Sequence, residues 1–399
     1  MLNRLRRLHR DETGMSFVFV GVGFLAFLSA TTLAIDVGMF MAARSQAQVA
    51  ADAGALGGAV ALMRNSYTDR TPTGPAVQSA ISTAQSNVVM GVAPTVAPAD
   101  VTFPNDANGQ PTRVKVNVFR TADRDSAVAT LVGGIFGVPS IDIFATATAE
   151  VSPANAMTCV KPFMIPDKWT ENSDDKGIAD GPWTTNSLFD LVYKGGNPLP
   201  NPDEYIGPDD PRAIADPLAY TGYTAANNTG ERLVLRAGTG TEVNPSFYFS
   251  WKMPDDIGGD FYRENVANCN QSVITRGPDV YIIQEPGNKV GPTIQGIDDL
   301  IAKDPNARWD TACDCVVGSN FSTSPRVFPI PLYDPYVYAN GQLHGRTADF
   351  VVANFLGFFV EWESGNQIYG RITTIVSTVS SSASSAPANS FPKVIRLVQ

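Results

Sequence analysis

Between Met15 and Ile35 lie twenty-one residues without a formal charge. As an α-helix at about 1.5 Å per residue they reach about 31 Å, one hydrocarbon thickness. A rod this apolar must be taken up by lipid or by a core built around it, and that limits what the rest of the chain can be. The pattern predicts a membrane-spanning helix over residues 15–35, preceded by a short arm, residues 1–14. After Ile35 the composition turns to alanine and glycine, with no proline up to Met63. The helix is therefore expected to continue over residues 36–64.

Basic residues set the expected orientation. The arm carries Arg4, Arg6, Arg7 and Arg10, whereas the first cation after the span is Arg44. Positive charge is retained on the cytoplasmic side, so the arm is expected inside and everything after Ile35 outside. A cleavable secretory signal, with Thr32 and Ala34 before the cut, is the alternative. Its apolar core is usually ~7 to 15 residues, shorter than this one.

The formal charge is −10. The arm contributes +2 (four Arg less Asp11 and Glu12), which leaves −12 for the remainder. Such a surface excludes nucleic acid and anionic head groups as partners held by charge attraction. The four cysteines, Cys159, Cys269, Cys313 and Cys315, fall in the part expected outside the cytoplasm, where disulfides are the normal fate. Three pairings are open, and Cys313 and Cys315 look better placed to reach Cys269 or Cys159 than each other. A CxC run without a second such pair or a nearby histidine gives weak support for a metal site.

In the helix continuation, Ala43, Ala47, Ala51, Ala55 and Ala59 recur every four residues, flanked by a second small row, Ala50, Gly54 and Gly58. Such rows let helix backbones approach closely. The partner is either another helix in lipid or the chain's own outer domain. Asp36 follows the span directly and marks the expected membrane boundary.

The run RDETG (Arg10 to Gly14), the long span, IDVG (Ile35 to Gly38), Arg44 and QVAADAGALGGAVAL (Gln48 to Leu62) resemble the amino-terminal domain of the TadE/TadG-like Tad pilus-assembly proteins. On that resemblance Gly14, Asp36, Gly38, Arg44, Ala51, Asp52 and Ala53 are the family-motif positions. It implies a single-pass bacterial inner-membrane protein of the Flp, or tight-adherence, type IV pilus system. The amino terminus is then cytoplasmic and the bulk of the chain periplasmic or extracellular. Implied partners are the inner membrane, pilus or pseudopilus subunits and other Tad assembly proteins; apart from the resemblance, a surface or glycan is a further candidate partner. The fifth place after Gly14 is Phe19 where prepilins of that system carry Glu, and no DxSxS run of a von Willebrand A metal site occurs.

The fold class expected is α+β. Residues 65–155 form a small α/β unit, with a helix over Ala76 to Val89, strands at Ala99 to Phe103 and Arg113 to Phe119, and a turn at Asn105 to Pro111. An amphipathic helix over Asp123 to Phe136 and a strand over Ser140 to Val151 complete it. Residues 156–399 form a β-rich extracytoplasmic domain of short apolar runs between Gly/Pro clusters: Lys161 to Trp169, Arg232 to Gly238, Ser246 to Met253, Asp279 to Gln284, Arg326 to Tyr333, Phe350 to Glu363 and Tyr369 to Val379. One helix is expected at Thr293 to Ala302. Ser380 to Ser390 reads as a flexible connector, and KVIRLVQ after it as a last strand.

Catalytic, cofactor and metal sites are not expected. His344 is the only histidine beyond the arm, and GxSxG, HExxH and Walker-type runs are missing. The acidic groups Asp174, Asp175 and Asp180; Asp203, Glu204, Asp209 and Asp210; and Asp255, Asp256 and Asp260 lack the twelve-residue calcium-loop pattern. Two other classes stay open: a glycan-binding adhesin using one of five tryptophans, and an envelope hydrolase built on His344 or an acidic cluster.

Overall fold

The computed structural model describes residues 13–64, 70–105, 112–174, 176–178, 181–238, 240–254, 259–285, 287, 289–321, 323–343, 350–377 and 390–398. The arm before Thr13, most of the 105–111 turn, Asp175, Asp180, Asp255, Asp256, His344 and residues 380–389 lie outside them. The chain divides into two compact units. One comprises Met1–Ala61, Asp69–Glu150 and Leu397–Gln399, the other Leu62–Thr68 and Val151–Arg396.

The first unit is built on α1, Thr13–Arg64, an uninterrupted helix of 52 residues. Its second half packs on α2, Pro75–Ser86, which starts with a proline in its first turn and buries Ala76, Val77, Ala80 and Ala84 along one side. Beneath them lies a four-stranded sheet. Its strands, in sheet order, are β1 (Val101–Thr102), β2 (Arg113–Arg120), a long strand Ile143–Pro153, and Leu397 and Val398 of the C-terminal strand Lys393–Val398. In β2 the alternation RVKVNVFR is read out directly, with Val114, Val116, Val118 and Arg120 buried and the residues between them half-buried. β2 runs antiparallel to Ile143–Pro153, and Arg113 opposes Glu150 there as an ion pair at 2.7 Å.

The helix expected over Asp123 to Phe136 does not form. A 3-10 turn, Ala122–Arg124, ends at Asp125 in the left-handed region (φ 51°). A hairpin follows, with β3 (Val128–Ala129) antiparallel to β4 (Ser140–Ile141) and a second 3-10 turn, Gly133–Phe136, at its tip. The backbone N–H groups of Leu131, Val132 and Gly133 are taken by the Asp36 carboxylate, so they are aimed out of any helical ladder. Amphipathic spacing lost to a long-range acceptor. After β4 comes the long strand Ile143–Pro153, here β5.

The second unit is a barrel. Its strands are β6 (Phe163–Pro166), β7 (Arg232–Ala237), β8 (Phe247–Ser250), β9 (Tyr281–Ile282), β10 (Val327–Tyr333), β11 (Phe350–Ser364) and β12 (Gln367–Thr373). They are hydrogen-bonded in the order β9-β11-β10-β6-β8-β7-β12, and β12 also pairs with β11, which closes a ring with β9 outside it. The pairs β6/β10 and β7/β8 are parallel, the remainder antiparallel. Pro329 and Pro331 lie before the β6/β10 ladder begins at Leu332, so their missing N–H groups break no bond in it.

Both faces of this sheet are covered, which is why β11 is buried from Phe350 through Val360 with no polar alternation. Phe163, Ile165, Leu356, Phe358 and Val360 enter one core together with Tyr262 and Val266 of helix α3 (Gly259–Ala267) and Ile297 and Leu300 of helix α4 (Val290–Lys303). Met164, Phe249, Val352 and Phe355 enter the other, beside Tyr338 of helix α5 (Pro335–Leu343). Alternation along β10 sends Phe328, Ile330 and Leu332 to the first core and Tyr333 to the second.

Candidate functional site

α1 carries two kinds of surface. From Ser16 to Ile35 its residues are exposed apart from half-buried Thr32, including Phe17, Phe19, Phe24 and Phe27. The few polar side chains there fold back on the helix: Ser29, Thr31 and Thr32 hydroxyls donate to the carbonyls of Leu25, Phe27 and Leu28, four residues earlier. Hydroxyls satisfied inside the helix in this way suit a solvent that offers no hydrogen bonds. The helix is long and apolar enough to cross a membrane once.

From Ser16 on, Asp36 is the first buried residue of α1, only 4 % exposed. Its Oδ1 accepts from Leu131 N at 2.8 Å, and its Oδ2 from Val132 N at 3.1 Å and Gly133 N at 2.8 Å. Burial pushes the carboxyl up, but the donors from Leu131, Gly133 and Val132 outweigh this and hold it below the usual carboxylate range. The captured segment is stiff: Thr130 N donates to Pro139 O, Val138 N to Gly133 O, and Thr130 Oγ1 to Val138 O at 2.7 Å. A Cβ on Gly133 would stand 2.8 Å from Val138 O, so the glycine is needed for the close approach.

From Ala43 onward the helix is clad. Ala43, Ala47, Ala51, Ala55 and Ala59 are all at 0 % exposure, and Gly54 and Gly58 are buried. A Cβ on Gly54 would meet Ala84 Cβ at 2.9 Å, and one on Gly58 would meet Ala80 Cβ and Val114 Cγ1 at 2.9 Å. The close helix approach expected of this row is made to α2 and β2 of the same chain, so the row has no free face for a second subunit. The physical reason is that Ala76, Ala80 and Ala84 of α2 bring an equally small row to meet it.

Among the other motif positions, Gly14 lies in the first turn of α1, Gly38 faces open space, Arg44 is exposed and Ala53 is half-buried. Asp52 accepts from Gln48 Nε2 at 2.8 Å, and the same amide reaches Thr146 O on β5 at 3.1 Å. Gln46 accepts from Met90 N at 2.7 Å. These two glutamines tie the helix to its unit, and nothing in their spacing marks them in the sequence.

In the second unit all four cysteines are oxidised, as Cys159–Cys269 and Cys313–Cys315. The second pairing corrects the expectation that these two would reach elsewhere. Asp314 between them sits in the left-handed region (φ 47°), and that turn brings the two Cα atoms to 5.2 Å, an ordinary disulfide span.

A cleft of about 510 Å³ in this unit is lined by Asp203, Glu204, Asp209, Asp210, Arg212 and Asp334 among others. Most of its acids are engaged. Asp203 caps the N–H groups of Asn172 and Asp190, both at 2.8 Å, Asp209 pairs with Arg276, and Arg212 bridges Glu204 and Asp210. Asp334 accepts from Val337 N at the head of α5, and burial raises its carboxyl to about 6. Deeper, Asp167 is fully buried and accepts from Tyr220 Oη at 2.6 Å, Tyr205 Oη at 2.9 Å and Tyr223 N at 2.9 Å. Its carboxyl is raised by burial, against the pull of those donors. No group of three metal-donor side chains converges among the described residues. Trp169 and Trp251 are core, whereas Trp362 is 41 % exposed and stacked on Tyr369 at 5.1 Å.

No curated protein and no solved structure matches the chain. A family model does match, over residues 14–61, and its description is putative Flp pilus-assembly TadE/G-like. That segment holds the bare apolar stretch, the Asp36 clasp and the alanine row, and over it the chain is similar to the Flp pilus-assembly TadE/G-like family.

Proposed function

We propose that the chain is a membrane-anchored structural component of a Flp/Tad pilus assembly system. Its arm lies in the cytoplasm, residues 15–35 cross the inner membrane, and both folded units stand outside. The family match supports a pilus-assembly role. The observation that carries the anchoring is the change along one helix: it is bare and apolar before Asp36 and clad by its own unit from Ala43 on. Disulfides in the second unit suit an oxidising compartment. Neighbouring subunits meet the lipid-facing stretch of α1, since the alanine row is occupied. No reaction is assigned to the acidic cleft, whose carboxylates are mostly held in structural bonds.

The experiment is cysteine mapping, for which the oxidised native cysteines leave a silent background. In intact cells opened only at the outer membrane, Thr102→Cys should react with an impermeant maleimide and Asn3→Cys only after the inner membrane is breached. A photo-crosslinker at Phe24 should capture pilus components. Equal reaction at both cysteines would end the topology, and capture of lipid alone in a piliated cell would end the assembly role.

A further inference from the structure

The hairpin held by Asp36 has a tip that its own unit leaves uncovered. Leu131, Ile135, Phe136 and Val138 are 66, 82, 67 and 47 % exposed, within eight residues. From Ser126 to Ile141 the sequence carries no charge, although the chain around it is acidic. Four large apolar side chains on one ordered loop are an exposed patch of the kind that marks an interaction surface.

Its position says what covers it. Asp36 directly follows the bare stretch, and it grips the backbone of the same loop through three N–H groups. The loop is therefore pinned beside α1 at the level where the helix would leave the hydrocarbon. The clasp also solves a local problem: a carboxylate at that depth is costly unless its charge is met by donors. The tip is closed by its own bonds, Thr130 to Pro139 and Val138 to Gly133, and presents side chains instead of unpaired backbone.

We infer that the loop 130–139 is a second membrane contact, a wedge whose Leu131, Ile135, Phe136 and Val138 enter the boundary between head groups and acyl chains of the bilayer that α1 crosses. This rests on the anchoring part of the proposed function. With one helix the first unit could swivel about the anchor. With a wedge clamped beside the helix it has two points of attachment, and its tilt and depth are set. The contact is apolar, so it does not depend on anionic lipid, in keeping with the negative charge of the chain.

The test uses the full chain, disulfides intact, reconstituted at low density in phosphatidylcholine vesicles with or without brominated acyl chains. Single cysteines at Ile135, at Phe24 in the span and at exposed Thr102 carry the fluorophore NBD. The Ile135 label should be blue-shifted, quenched by bromolipid and protected from iodide, like the Phe24 label and unlike the Thr102 label. Asp36→Ala should return the Ile135 label to water while the Phe24 label stays in lipid. Phe136→Asp, which leaves the clasp untouched, should lift the label out as well. A Phe24 label outside lipid would overturn the anchor itself. A Phe24 label in lipid with an iodide-accessible Ile135 label would overturn the wedge alone. Protection from iodide without bromolipid quenching would mean a protein covers the loop, and would overturn it too.

Discussion

The alanine seam makes a quantitative prediction because α1 supplies its own control. Gly58 and Gly38 lie on one helix, and replacing either by alanine removes the same backbone freedom, which stabilises a helix by about 1 kcal/mol. Their surroundings differ. A Cβ at Gly58 would stand 2.9 Å from Ala80 Cβ, 2.9 Å from Val114 Cγ1 and 3.2 Å from Ala76 O, whereas one at Gly38 has nothing within 4 Å. Ordinary contact begins near 3.4 Å, so α1 and α2 must part by about half an ångström along the whole seam. Overpacking of this kind costs about 1–3 kcal/mol. Gly58→Ala should therefore come out neutral to about 2 kcal/mol destabilising, and Gly38→Ala about 1 kcal/mol stabilising, the difference isolating the seam. The assay is hydrogen exchange in detergent, read on peptides spanning Arg113–Arg120, because two units need not unfold as one. Equal protection in the two variants would refute the reasoning. It would mean that the seam opens at no cost and that the row is not closed by its own unit.

Three further outcomes follow from the second unit. Asp334 binds a proton more tightly folded than unfolded, at about 6 against 3.8. Unfolding stability should therefore fall as pH rises through that window, by up to about 3 kcal/mol, and Asp334→Asn should flatten the slope in denaturant titrations between pH 4 and 7. Tyr220→Phe removes a donor to Asp167 and the oxygen that Asn354 Nδ2 meets at 3.1 Å, and should cost about 1–3 kcal/mol in the same titration. The disulfides should differ in worth. Cys159–Cys269 closes a separation of 110 residues, for which chain entropy gives about 5 kcal/mol. Cys313–Cys315 closes a separation of only 2, so paired serine replacements should cost far less there, about 1–2 kcal/mol.

Where spacing alone decides the local structure, the sequence was readable. The seven apolar runs after Pro153 each hold one strand of the seven-stranded sheet, and the helix expected at Thr293 to Ala302 appears as Val290–Lys303. Period-two patterning and Gly/Pro punctuation are local signals, and the barrel follows them. The β11/β12 hairpin is local, but the pairing of β12 with β7 that closes the ring is not, nor is the parallel pairing of β6 with β10. The same limit hid the clasp. Asp36 reads as a boundary acid, and Leu131 to Gly133 read as the middle of a helix. Nothing within ten residues of either announces that a carboxylate and three N–H groups some 95 positions apart will find each other. The helix Gly259–Ala267 is likewise hidden in the sequence, because the apolar residues it gives to the first core are only Tyr262 and Val266, and it also meets α4 through the polar pair Arg263 and Asp299.

On the proposed anchoring, one helix in two solvents also explains why its sequence changes where it does. Before Asp36 large apolar side chains such as Phe17, Phe19, Phe24 and Phe27 stand out from the helix among small ones such as Gly21, Gly23 and Ala26, an uneven surface that fluid lipid chains can follow. After Ala43 the neighbours are another helix and a sheet of fixed shape, and only alanine and glycine let the backbones approach to the distances seen at Gly54 and Gly58. A small-residue row is thus a statement about closeness, not about which chain supplies the partner. Here α2 supplies it, and on the proposed assembly role a consequence follows. A substitution at Ala51 or Ala55 should weaken pilus assembly only by unfolding the first unit, whereas one at an exposed position between Ser16 and Met41 should alter the neighbours of α1 and leave that unit folded.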